Sequence, residues 1–244
     1  MGGRAIGDLH RWSSDPVTAQ VDHLVVAAST LDEGVAWCQR TLGITPGVGG
    51  KHPLMGTHNR LFSVATPQYP TTYFEIIAIN KRAACARNMG TKRWFDLDNA
   101  ALHQQLQQTG PQLVHFVAST QRAAPAAQAL AELGFDRGEL LSASRATPHS
   151  VLSWQITVRP DGQRLMAGAL PTLIEWGAVH PTQHMAASGV TLQSLTASLP
   201  NAHHLSAAYA AINLQSVGVV EGLVNLIAIL NTPRGLVTLE SRGI

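Results

Sequence analysis

Val21-Asp22-His23-Leu24-Val25-Val26-Ala27-Ala28-Ser29-Thr30 and Leu113-Val114-His115-Phe116-Val117-Ala118-Ser119-Thr120 carry the same pattern. Each is an apolar run with histidine as its third residue, closed by Ser-Thr. A helical stretch follows each, ending at Thr41-Leu42-Gly43-Ile44 in the first copy and Glu132-Leu133-Gly134-Phe135 in the second. Ser/Thr before a helical period supplies an N-cap acceptor, and Gly after it allows the left-handed conformation that ends helices. Later in each copy comes an apolar strand bearing one acid, Tyr73-Phe74-Glu75-Ile76-Ile77-Ala78-Ile79 and Leu173-Ile174-Glu175-Trp176-Gly177-Ala178-Val179. The histidine-to-acid spacings are 52 residues (23 to 75) and 60 (115 to 175), so one unit is read as duplicated with loops of different length.

Each copy reads as strand, helix and about three further strands, which predicts an α+β fold: repeated βαβββ modules with curved sheets and the helices outside. The first module is read as 21–80 and the second as 112–180, with an arm over 1–20 and a connecting loop or lid over 81–111. A third, partly degenerate module is read over 190–244, where Glu240 takes the acid's place and Ser194 the histidine's. Thr232-Pro233-Arg234-Gly235 and Arg159-Pro160-Asp161-Gly162 mark turns between apolar runs.

Strand alternation sets His23 with Val25 and Ala27, Glu75 with Tyr73 and Ile77, and Glu175 with Leu173 and Gly177, all expected to point away from the helices. Trp154 and Trp176 are then expected in the core. Acids in apolar strands are costly unless partnered. His23, Glu75, His115 and Glu175 are therefore expected to share one divalent metal per cup: Zn, Ni, Mn, Co or Fe. The nitrogen and oxygen donors suit these ions and leave positions open for substrate.

Around that centre, Gly49 to Arg60 forms an expected pocket rim with His52, His58, Asn59 and Arg60, joined by Gln155 from the second module. Alternation itself turns Asn59, Leu61 and Ser63 to the cup and Arg60 behind. Lys81, Arg82, Arg87, Lys92 and Arg93 precede Trp94-Phe95, a basic and aromatic segment suited to an anionic small molecule. Arg93 and Trp94 are its expected contacts.

Composition bounds the rest. The 244 residues are 45% hydrophobic and 13% charged, with a net charge of +2 from 17 basic and 15 acidic residues. Such a chain folds, and it lacks the basic excess of a nucleic-acid binder. Cys38 and Cys85 cannot build a disulfide framework or a four-thiolate zinc site, which favours a cytoplasmic setting. The most apolar stretch, Val217 to Leu230, is interrupted by Glu221 and Asn225, so no membrane span is expected. Gly50-Lys51 is not a phosphate loop, because Thr45 and His52 occupy positions that motif reserves for Gly and Ser/Thr; no nucleotide cofactor is expected. Modules of this kind pair readily, which makes a homodimer an open expectation.

The stretches DHLVVAA, GGKHPLMGTHNRLFSVA and YFEIIAI resemble the glyoxalase-like branch of the vicinal oxygen chelate superfamily. The resemblance covers about Val21 to Val179. It implies paired βαβββ modules forming a cup, and a metal that stabilises an enediolate of a vicinal-oxygen substrate. His23, Glu75, His115 and Glu175 fall on the family's four ligand positions, with Glu175 the implied base and Glu75 its pseudo-symmetric alternative. The implied reaction is that of a lyase or isomerase. An Fe(II) extradiol-type dioxygenase using His23, His115 and Glu175 is the alternative, and a metal-free binding protein is the third.

Overall fold

The first helix shows how local sequence sets the architecture. In the computed structural model, which describes residues 17–83, 90–148 and 150–243, α1 runs Leu31–Leu42. Thr30 caps it, its hydroxyl accepting from Glu33 N at 3.1 Å, and Asp32 and Glu33 lie where the helix dipole favours acids. Gly43 ends it at φ 77°. Gly34, Cys38 and Leu42 form its buried face, and Gly34 lets α1 approach β4 so closely that a Cβ there would lie 2.4 Å from Ile76 Cγ2.

This helix belongs to a first module of β1 (Ala19–Ala27), α1, β2 (Gly47–His52), β3 (Thr57–Ser63) and β4 (Tyr73–Ile79). A connector carrying α2 (Ala100–Thr109) leads to the second: β5 (Gln112–Thr120), α3 (Ala123–Glu132), β6 (Glu139–Ala146), β7 (Val151–Val158) and β8 (Thr172–Trp176). β1 and β5 pair antiparallel at the centre, β4 and β8 flank them in parallel, and the hairpins β2–β3 and β6–β7 lie outside, giving one eight-stranded sheet in the order β2-β3-β4-β1-β5-β8-β7-β6. The fold is α+β, the βαβββ cup expected from the sequence.

The sheet has two apolar faces. The helix-bearing face carries Leu24, Val26, Phe74, Ile76, Phe116 and Leu173, and the concave face carries Val25, Ala27, Ile77, Val117, Ile156 and Ile174. From the connector, Phe95, Leu97, Leu102 and Leu106 pack into the concave side.

The third unit, β9 (Thr191–Leu199), α4 (His203–Ala211), β10 (Gly218–Glu221), β11 (Asn225–Thr232) and β12 (Gly235–Glu240), keeps the module's element order but not its pairing. Its order is β10-β9-β11-β12, with β10 parallel to β9, so the strand directly after the helix returns to the first strand. It packs on the helix-bearing face: Tyr209 donates to Ala169 O, Tyr69 to Ser216 O, and Gln112 to Ser241 O. The apolar Val217–Leu230 run is part of that packing, with Val217, Leu226, Ala228 and Leu230 buried. Among the described residues no helix is long and apolar enough to cross a membrane.

Candidate functional site

The site begins at a fault in the central ladder. Val21 pairs with Ala118 and His23 with Val117, leaving Asp22 as an extra residue, a β-bulge. Bulges re-aim side chains. Here Asp22 and His23 meet, His23 Nδ1 lying 2.6 Å from Asp22 Oδ1. Asp22 Oδ2 also accepts from Trp176 Nε1 at 2.9 Å and from His180 Nε2 at 3.0 Å. His180 caps the short 3-10 turn Pro181–His184, and Thr182 N donates to its Nδ1. Burial pushes the Asp22 carboxyl upward, but the hydrogen bonds from His180 and His23 outweigh it, and the group is held well below the usual carboxylate range. A charged Asp22 fixes the Nδ1 proton of His23 and leaves Nε2 facing the cup.

Nε2 lies 3.6 Å from Glu75 Oε2. Glu75 is 4% exposed on β4, and its Oε1 accepts from Asn59 Nδ2 at 2.6 Å. Gly50 N donates to Asn59 Oδ1, which orients the amide; its Nδ2 also lies 3.3 Å from His52 Nε2. His52 Nδ1 contacts Thr57 Oγ1 at 3.0 Å. Burial, opposed by Glu75 and aided by Arg145, pushes His52 down to about 4, so it is neutral at pH 7. Tyr73 stacks on His23 at 4.5 Å between centroids.

Outward from this cluster lies a cavity of about 480 Å³ between the hairpins of the two modules, lined by Leu54, Met55, Leu141, Ile156, Trp94 and Trp154 among others. Arg145, on β6, faces both the cavity and the His23–Glu75 cluster. Its guanidinium lies against Gly50, where a Cβ would come 1.4 Å from Nη1. Arg145 has no ion pair among the described residues.

The other half of the cup is built differently. The offset that carries His23 onto His115 carries the bulge residue Asp22 onto Val114, and β5 bulges at Val114. It also carries the Val25–Glu75 pair onto Val117–Thr172, so Thr172, not Glu175, stands in the place of Glu75. His115 is fully buried, with Nδ1 2.9 Å from Gly168 O and Nε2 accepting from Thr172 N at 3.1 Å. Burial, then the charge of Arg137, holds it well below its ordinary pKa. Phe95 covers its ring at 5.2 Å.

Glu175 shares the parity of Leu173, as expected, but that face of β8 is the helix-bearing one. Its carboxylate accepts from Ala123 N at 2.8 Å and caps α3, whose own N-cap residue Arg122 makes no side-chain capping bond. The four expected ligands therefore do not converge. Among the described residues no group of three or more His, Cys, Asp or Glu is placed to hold a metal ion. Nor do His23, His115 and Glu175 form the face a dioxygenase iron would need.

The same inversion affects β7. Trp154 and Ile156 line the cavity, whereas Gln155 is exposed and donates to Ser142 Oγ. Trp154 and Trp176, expected in the core, pack against the apolar cluster of the concave face and meet each other at 5.5 Å between ring centroids. Of the expected rim, His52, Asn59 and Trp94 face the cup. His58 and Arg60 lie on the opposite parity of β3, with His58 in a surface groove beside Lys51, Asp32 and Arg82. Arg93 pairs with Asp98 at 2.5 Å. Arg87 and Cys85 lie outside the described residues, while the Cys38 thiol is pushed up to about 12 by burial. Asp22, Tyr73, Arg145 and His180 were not among the expected site residues. Asp22 had the clearest signal: it lies beside His23 in a strand that is otherwise apolar.

Comparison with known proteins agrees with this architecture. A search of curated proteins finds no match. Among solved structures, a hypothetical protein from Staphylococcus aureus aligns at 14% identity and TM-score 0.55, over 91% of this chain and 84% of that one. A methylmalonyl-CoA epimerase from Streptomyces coelicolor aligns at 16% identity and TM-score 0.39, over 67% and 98%. The corresponding epimerase from Mycobacterium tuberculosis gives 14% and 0.34, over 68% and 92%. The sequence model described as "Glyoxalase-like domain" matches residues 21–212, and the chain belongs to the glyoxalase-like domain family.

Proposed function

We propose that this chain is an enzyme of the isomerase or lyase type, which moves a proton on the carbon beside a carbonyl of a small anionic compound with an apolar body. The observation that supports this most directly is the Asp22–His23–Glu75 row at the inner end of an apolar cup, with the unpaired Arg145 above it. Asp22 keeps the Nδ1 proton on His23, which makes Nε2 the proton acceptor. Glu75, steadied by Asn59, stands close enough to take or return that proton. Arg145 binds the anionic group and stabilises oxyanion charge as it develops. Trp94, Trp154 and Ile156 hold the apolar body and exclude water.

The residues present do not fit the four-donor metal centre common to the superfamily's metal-dependent enzymes, because the second module offers Thr172 and a fully hydrogen-bonded His115. Each step is accordingly assigned to side chains. In D2O, the purified chain should exchange the α-proton of one or more small α-hydroxycarbonyl or 2-oxo acid compounds, followed by NMR. Exchange should persist with chelator and disappear in His23→Ala and Glu75→Gln. Exchange that chelator abolishes, or that both variants retain, would overturn the side-chain mechanism. Saturable binding by calorimetry without exchange would favour the binding-protein reading, which the aromatic lining of the cavity supports.

A further inference from the structure

Behind Phe95, on the second-module side, Arg137 is 3% exposed. Its Nη2 donates to Thr172 Oγ1 at 2.8 Å, while Nε and Nη1 are buried without a hydrogen-bond partner. No acid forms an ion pair with it among the described residues. Burial, then the nearby charge of Arg159, lowers it to about 10, which leaves it a cation at pH 7. An unpaired buried cation is among the costliest groups a fold can hold.

Arg137 borders a cavity of about 10 Å³ also lined by His115, Thr157, Arg159, Arg164 and Thr172, with Phe95 and Trp94 dividing it from the cup. Such a space holds one water-sized body. The neighbouring charges are already engaged. Arg159 pairs with Asp161 at 2.6 Å, Arg164 with Asp96 at 2.9 Å, and Asp136 Oδ1 accepts from Gly138 N. His115 is neutral and its ring nitrogens are occupied. Asp136 and Asp161 act on Arg137 from a distance, but among the described residues neither forms an ion pair with its guanidinium.

We infer that this cavity is a binding site for a single small monatomic anion, held by a free nitrogen of Arg137 with Arg164 and Arg159 flanking. A water there would accept hydrogen bonds but leave the charge uncompensated. Through the Arg164–Asp96 pair the anion also bears on the segment that carries Trp94 and Phe95, where Phe95 and Asp96 adopt positive φ of 59° and 58°. Occupancy is therefore coupled to the wall of the cup. His23 and Glu75 do not line this cavity.

The test is thermal unfolding of the full chain at constant ionic strength and pH 7.5, with sodium chloride replaced stepwise by sodium gluconate, whose anion is too large for the cavity. Chloride at ten times its dissociation constant should raise the midpoint by about 3–5 °C, saturably. Arg137→Lys should lose that dependence. Equal midpoints in the two salts would overturn the proposal. Bromide-soaked crystals of the unaltered chain give a second readout that does not depend on the folding of Arg137→Lys. An anomalous peak beside the Arg137 guanidinium supports the site, and peaks only at exposed positions, adventitious ions, overturn it.

Discussion

The two halves of the cup share one backbone and hold opposite chemistry. On one side of the seam stand Asp22, His23 and Glu75; at the matching positions on the other stand Val114, His115 and Thr172. The first half gathers acids around a histidine with a ring nitrogen open to the cavity. The second sets a histidine with both nitrogens occupied beside a buried arginine, sealed by Phe95. A bulge at equivalent points in β1 and β5 shows that geometry was kept where side chains diverged. Duplication thus supplies two possible sites, and filling one with protein groups frees the other to act alone.

That contrast can be broken most sharply by treating twin acids alike. Glu75→Gln should lower α-proton exchange by about 10²- to 10⁴-fold, the usual range for a lost proton-transfer group, whereas Glu175→Gln should leave the rate unchanged. Equal losses would mean that both modules contribute. Next in size, Arg145→Met should weaken binding of the anionic compound on the order of 10- to 100-fold, read as KM or a calorimetric Kd, with little effect on neutral analogues. The second-half network has its own test. Thr172→Val removes the hydroxyl shared by His115 and Arg137, with an expected loss of about 1–3 kcal/mol in urea unfolding and no change in exchange rate.

pH sharpens the comparison further. Folding lowers the pKa of His52 from 6.5 to about 4, so the unfolded chain binds more protons between those values. Stability is full above 6.5 and falls as pH drops toward 4. His52→Gln should flatten part of that limb, with the part due to His115 and the lower-lying limb of Asp22 retained. The smallest effect belongs to the cap: Glu175→Gln should cost α3 about 1 kcal/mol, a midpoint change of about 2–4 °C.

Repetition made the modules readable in the sequence, because Ser-Thr pairs, Gly stops and apolar strands recur in order, although of the two pairs only the first caps its helix, through Thr30. His23 and Glu75 were readable too, since a polar residue in an apolar strand needs a reason. Glu175 misled for a physical reason. Alternation separates two faces of a strand without saying which meets the helix, and the concave face of β8 is itself apolar, carrying Ile174 and Trp176. Hydrophobicity could not tell wall from core there or on β7, where Trp154 and Ile156 line the cavity. Arg145 and His180 are brought to the site by register and a short turn, long-range facts that no local pattern encodes. Asp22 was visible as an acid in an apolar strand, but the bulge concealed its direction, since strict alternation places it opposite His23.

The placement of the tryptophans gives the cup a built-in optical readout. Trp94, Trp154 and Trp176 surround the His23–Glu75 pocket, while Trp37 lies against the helix-side core beside Phe74. Entry of a molecule would change the polarity and quenching around three indoles together, with His52 edge-on to one of them. The intrinsic emission of the unlabelled chain can therefore rank a compound library by occupancy before any reaction is known.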